Sequence, residues 1–230
     1  MGIHFRAISR IISLCIVLFL VSCAQSGPVI HTSTVKLLRV QEESGEFVER
    51  LSVFVLFEDD DGIEDFASIT VRHDDTGLFW LLEADDTVVR LRGSDRWNGS
   101  SELAPPPGGV FPEGDYTIIA QDLAGNEALQ TFSLSRMEFP ETLPVRFSLD
   151  GDLWTMERNP DDGGFTENYL FVYTDGNRLV HVTKMPAGQQ KFFGDLDTFR
   201  RQYEGASRVQ CYSETRDGKA GVLLSPVDME

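Results

Sequence analysis

Six carboxylates crowd into eight positions at Glu58-Asp59-Asp60-Asp61-Gly62-Ile63-Glu64-Asp65. Side chains packed that closely repel one another unless a hard cation takes up their oxygens, and Ca²⁺ accepts about 6 to 8 of them. The spacing is not that of an EF-hand, because taking Gly62 as the obligatory glycine puts Phe57 at the first ligand position. A calcium site here is therefore of the loop type, with Asp59, Asp60, Asp61, Glu64 and Asp65 as donors. Asp122 and Asn126, in the turn Asp122-Leu123-Ala124-Gly125-Asn126, complete it only if that turn lies at the same end of the fold. The competing reading is a solvated turn in which Asp61-Gly62 sets the backbone and the charges face water.

Other residue types that do chemistry are scattered. His31, His73 and His181 stand alone, with no spacing that suits zinc. No G-x-S-x-G elbow or phosphate-cradling glycine loop occurs. The acidic pairs Asp85-Asp86 and Asp161-Asp162 are adjacent, which points them different ways and suits loops better than paired catalysis. No catalytic residue is assigned and the chain reads as a non-enzyme, with a hydrolase built from dispersed carboxylates as one alternative. Trp97 and Trp154, each flanked by polar turn residues, are candidate faces for a sugar or peptide, against core packing for both. Trp80, within Leu78-Phe79-Trp80-Leu81-Leu82, reads as core.

The elements that must position these groups are strands. Leu51, Val53, Val55 and Phe57 alternate with Ser52, Phe54 and Leu56, and Ala67, Ile69 and Val71 alternate with Ser68, Thr70 and Arg72. Runs of this kind recur every 8 to 12 residues or so, the rhythm of a β-sandwich. The piece around Trp97 is expected to stop at Asn98-Gly99, and Pro105-Pro106-Pro107 to cross between opposite sheets. Two prolines and no period mark a boundary near residues 137–144. Beyond it come further strands, a tight turn at Asp175-Gly176-Asn177, and one short helix. Asp195 caps that helix, Leu196, Phe199 and Tyr203 share its face, and Gly205 ends it. The helix is expected to cross from sheet to sheet. Cys211, alternating within Arg208-Val209-Gln210-Cys211-Tyr212, reads as a buried strand residue.

At the amino end, Arg6 and Arg10 precede an apolar run from Ile11 to Val21, a secretory-signal layout too short to span a bilayer, which takes about 20 residues. The ending Leu20-Val21-Ser22-Cys23 resembles the lipobox of bacterial lipoproteins. That resemblance implies a signal peptide at 1–22, cleavage before Cys23, and lipid, including an acyl chain such as palmitate, on Cys23. Residues 23–33 then form a tether, and Ala24 in place of aspartate resembles an outer-membrane address. Gly114-Asp115-Tyr116-Thr117 with Asp122-Leu123-Ala124-Gly125-Asn126 resembles the last hairpin of bacterial immunoglobulin-like and fibronectin-type domains. The tyrosine then implies a corner hydroxyl bonded just upstream.

The expected fold is all-β: two immunoglobulin-like β-sandwich domains, 34–136 and 145–230, the second carrying the helix. A net charge of −17 repels nucleic acid and anionic headgroups, so membrane attachment must come through lipid. The function expected is a lipid-anchored cell-envelope protein acting as a non-catalytic binding or structural module for a protein or glycan partner. The alternative is a glycan or small-ligand receptor using aromatics of the second domain.

Overall fold

The computed structural model describes residues 26–60 and 62–229; the expected signal peptide, Cys23 and Asp61 lie outside them. Eight strands form the first half: β1 (Val29–Gln41), β2 (Phe47–Glu58), β3 (Phe66–His73), β4 (Phe79–Glu83), β5 (Val88–Arg92), β6 (Asp95–Leu103), β7 (Gly114–Asp122) and β8 (Glu127–Leu134). The second half has β9 (Val145–Asp150), β10 (Leu153–Arg158), β11 (Glu167–Thr174), β12 (Leu179–Lys184) and β13 (Lys191–Asp195). The helix Leu196–Gln202 follows, then β14 (Ala206–Glu214), β15 (Ala220–Leu223) and β16 (Val227–Asp228). The fold is all-β, as the alternation predicts.

Three sheets layer these strands. A four-stranded sheet, β4-β3-β7-β8, and a three-stranded sheet, β13-β10-β9, each lie against one large sheet ordered β12-β11-β14-β15-β1-β2-β6-β5, with β16 beside β14. Between the first pair of layers Leu51, Val53, Val55, Ile69, Val71 and Ile118 are fully buried, each worth about 1.5–3 kcal/mol over exposure. Between the second pair Met156, Phe165, Leu170, Val172 and Val209 are equally dry, joined by Cys211.

The two halves therefore have separate cores but share a sheet. β1 pairs in parallel with β15, from Leu37 opposite Ala220 to Val40 opposite Leu223. The segment between the halves is docked as well: Met137 and Phe139 pack against both cores, and Arg39 donates to the Pro140 carbonyl at 2.9 Å.

Several local expectations hold. The proline segment links β6 in the large sheet to β7 in the four-stranded one, and the helix links β13 to β14 across layers. Asp195 caps the helix by accepting from the Asp197 amide at 2.8 Å, and Leu196 and Phe199 are its buried face. Asn177 takes φ of 59° in its turn.

Two expectations are corrected. Residues 29–33 are not tether but the start of β1, because the far end of β2 needs a partner and finds it from Val29 opposite Glu58 onward. Nor does Asn98-Gly99 end a strand: β6 runs through both, with Gly99 opposite Phe54 on β2. The glycine there permits close approach of two backbones.

Candidate metal centre

β2 delivers the acidic loop and β3 carries the chain away from it. Two tight turns in succession fold the loop back on itself, the Gly62 amide donating to the Asp59 carbonyl at 3.0 Å and the Asp65 amide to the Gly62 carbonyl at 3.1 Å. Gly62 has φ of 103°, a conformation that strains a residue with a Cβ. At the two ends of the loop, Phe57 and Phe66 pack with ring centres 4.8 Å apart and planes tilted by 33°.

The turn between β7 and β8 lies at the same end of the fold. The Leu123 amide donates to the Asp65 carbonyl at 2.7 Å, and Phe66 is opposite Asp122 in the β3–β7 register. This meets the condition that the sequence sets for Asp122. Oxygens of Asp59, Asp65 and Asp122 all lie within 4.8 Å of one another. Two oxygens on opposite sides of a Ca²⁺ ion at about 2.4 Å each are about 4.8 Å apart, so the three fit one coordination sphere.

Asp122 is the fixed member. Its side chain is 2% exposed, and its two oxygens accept from the Asn126 backbone and side-chain amides, each at 2.7 Å. Burial pushes its pKa up, but the hydrogen bonds from Asn126, Gly125 and Ala124 outweigh this and hold it below the ordinary carboxylate value. Because the folded pKa is depressed, the charge is in place at neutral pH and is lost only as pH falls through that lowered value.

Of the seven residues named from sequence, the fold thus brings together Asp59, Asp65 and Asp122, with Asn126 present as hydrogen-bond donor to Asp122. Asp60 and Glu64 are exposed outside the cluster, and Asp61 lies outside the described residues.

The tryptophans are corrected. Trp97 is 8% and Trp154 3% exposed, so neither presents a face to a ligand. In β6 the polar neighbours of Trp97 point to the other side of the sheet while Arg92 covers its ring at 5.1 Å. Trp154 stacks on Phe199 at 6.0 Å and meets Phe192 edge-on at 5.2 Å.

His31 is exposed and meets the Glu58 carboxylate at 2.9 Å, whereas His73 and His181 pack into the fold. His73 is held between Thr76 at 2.8 Å and the Glu113 carbonyl at 3.0 Å, and His181 contacts the Tyr203 hydroxyl at 2.7 Å. Tyr116 behaves as the corner residue: fully buried, it donates to the Pro112 carbonyl at 2.7 Å, and burial pushes its pKa up to about 12. The aromatic residues that sequence reading overlooked are Tyr169, Phe171, Tyr173 and Tyr212, all partly exposed on the large sheet. Their signal was the period of two in Tyr169-Leu170-Phe171-Val172-Tyr173, apolar on both faces.

No protein-family model and no curated protein matches the chain. Among solved structures it is similar to Tp47, the 47-kilodalton lipoprotein of Treponema pallidum, at a TM-score of 0.36 and 11% identity over 90% of this chain and 53% of that one. The chain thus spans about half the length of Tp47. It is also similar to murine CEACAM1b, at a TM-score of 0.26 and 11% identity over 86% of this chain and 99% of that one. A third is the Bacteroides ovatus SGBP-B of a mixed-linkage glucan utilization locus, in complex with a mixed-linkage heptasaccharide, at 0.23 and 12% identity over 88% and 61% of the respective chains.

Proposed function

We propose that the chain is a lipid-anchored cell-envelope protein acting as a non-catalytic binding or structural module, with a calcium ion closing the membrane-proximal end of its first sandwich. The observation that carries the calcium reading is the meeting of Asp59, Asp65 and Asp122 from two loops far apart in sequence. The anchor is supported by Arg6, Arg10, the apolar run and Leu20-Val21-Ser22-Cys23.

The two features belong to one end of the molecule. A Cβ on Gly27 would lie 3.0 Å from that of Asn126, beside Asp122. From Cys23 to Gly27 the chain reaches about 14 Å at most. A lipid on Cys23 therefore holds the acidic loops close to the headgroups, where uncompensated carboxylates are repelled by anionic lipid. A divalent cation offsets part of that charge and locks the two loops together.

Radiolabelled palmitate is expected to enter the protein expressed in a bacterial host, and Cys23→Ala to abolish both the label and partition into detergent. A Cys23→Ala form that still partitions with membrane would end the anchor reading. For the metal, calcium at roughly ten times its Kd is expected to raise the melting temperature by about 3 to 6 °C, and Asp122→Asn to remove the shift. A wild-type melting curve indifferent to millimolar calcium would leave the loop as a solvated turn.

A further inference from the structure

Both small sheets lie on one side of the large sheet, and among the described residues its other face carries no layer. Residues of both halves meet on that face. Tyr169 opposes Tyr212 and Phe171 opposes Gln210 in the β11–β14 register, so their side chains rise together. Phe171 stacks against Tyr212 at 5.7 Å and 20°, and Tyr169 against Phe171 at 6.4 Å and 29°. Tyr212 lies flat on the sheet because β15 offers Gly221 beneath it, where a Cβ would come 2.5 Å from the ring. The result is a continuous shelf of partly exposed rings.

The shelf faces a cation from the other half. Arg90, on the edge strand β5, lies over the Phe54 ring at 3.8 Å and donates to the Ser101 hydroxyl at 2.8 Å. In a flat sheet β5 and β11 would be six strand spacings, or about 29 Å, apart. Leu38, Phe54 and Trp97 on this face are nevertheless 8%, 2% and 8% exposed with no layer over them, and Arg90 shares electrostatic interactions with Tyr173 and Tyr212, so the sheet coils and the face is concave.

Charge on this face runs against the rest of the chain. Lys36 pairs with Glu214 and Lys184 with Glu167. Arg208 is held by neutral partners, the Asn177 side chain and the Asp175 carbonyl. No carboxylate among the described residues pairs with Arg90, although the chain has 37 of them. Desolvation, then the neighbouring Arg92, lowers its pKa, so its charge is held at a cost that a bound anion would relieve.

We propose that this concave face binds an acidic glycan, its pyranose rings resting on Tyr169, Phe171 and Tyr212 and its anionic groups meeting Arg90. Sugar rings present apolar C–H faces to aromatic shelves, while the Tyr169 and Tyr212 hydroxyls and the Glu214 carboxylate, already hydrogen-bonded together at 3.2 and 3.0 Å, supply partners for sugar hydroxyls. The unpaired arginine selects an acidic chain over a neutral one. This inference rests on the binding-module reading and gives it a ligand class.

The test is isothermal titration of the full chain, purified in detergent, with three probes: an oligogalacturonate bearing carboxylates, a heparin-derived oligosaccharide bearing sulfates, and an uncharged cello-oligosaccharide. At least one acidic probe is expected to bind and the uncharged one to bind at least about tenfold more weakly. Preference between the acidic probes identifies the anion. Arg90→Gln and Phe171→Ala are each expected to weaken binding about tenfold while still melting in one cooperative circular-dichroism transition above the titration temperature, and Arg90→Lys to retain more affinity than Arg90→Gln. Silence from both acidic probes, equal affinity for the uncharged one, or wild-type affinity in Arg90→Gln would overturn the proposal. So would a concentration-dependent dimer dispersed by Phe171→Ala, which would assign the face to a second copy. Shortening of a bound oligosaccharide during the titration would refute the non-catalytic reading while leaving the site in place.

Discussion

Gly99→Ala is expected to lower stability by about 3 kcal/mol or more, a fall in melting temperature of about 6 to 12 °C for a chain of this size. A Cβ at this position would overlap the Val53 carbonyl oxygen and lie 2.8 Å from the Phe54 Cα, and all of these are backbone atoms. β2 cannot withdraw to make room. On its other side Val53 and Phe54 are paired with Val35 and Thr34 of β1, and they are 0% and 2% exposed. The strain must then break the β2–β6 ladder, which carries Trp97 and the Arg90 hairpin at the margin of the concave face. Gly109→Ala is the control, since its nearest neighbour would be the Pro106 carbonyl at 3.5 Å, an ordinary contact. Equal melting of the two variants would mean that β2 and β6 do not approach as described.

What the sequence could and could not say about this fold divides along the distance over which a signal acts. Leu51, Val53, Val55 and Phe57 announce a buried strand through their own spacing, and Asp195 announces a helix start through the amide two residues on. The corner tyrosine was legible because Tyr116 and Pro112 sit within one turn of chain. Asp59 and Asp65 of the acidic cluster were legible for the same reason, and Asp122 could be named only conditionally, because its place depends on how β3 pairs with β7. Gly99 shows the limit in the other direction. A glycine beside an asparagine is the commonest mark of a turn, and nothing local distinguishes it from a glycine that yields to a neighbouring strand. Trp97 and Trp154 misled because polar neighbours in a strand point to the opposite face and say nothing about the tryptophan's own. The concave face was invisible because it is a product of the large sheet, and that sheet is closed by residues at opposite ends of the chain.

Those same residues make the two halves inseparable. The full chain is expected to unfold in one calorimetric transition, and a fragment ending at residue 136 to aggregate rather than persist as a monomer. β1 is interior to the large sheet only because β15 lies beside it, with the Leu37 amide donating to the Lys219 carbonyl at 2.9 Å. Side chains reinforce the join: Lys36 pairs with Glu214, and the Ser225 hydroxyl donates to the Glu42 carbonyl at 2.8 Å. Removing the second half strips this edge bare along a strand that carries Leu37, Leu38 and Val40, and it uncovers Met137 and Phe139 if they are kept. An open, apolar edge in the middle of what was a sheet is a template for pairing with another chain. Two resolved calorimetric peaks, or a monomeric fragment melting as it does in the whole chain, would count against this. The concave face draws Arg90 and Phe54 from one half and Tyr169, Phe171 and Tyr212 from the other. Any loosening of β1 from β15 therefore disperses the shelf and its arginine together, and binding of an acidic glycan should be lost at the same denaturant concentration as the fold.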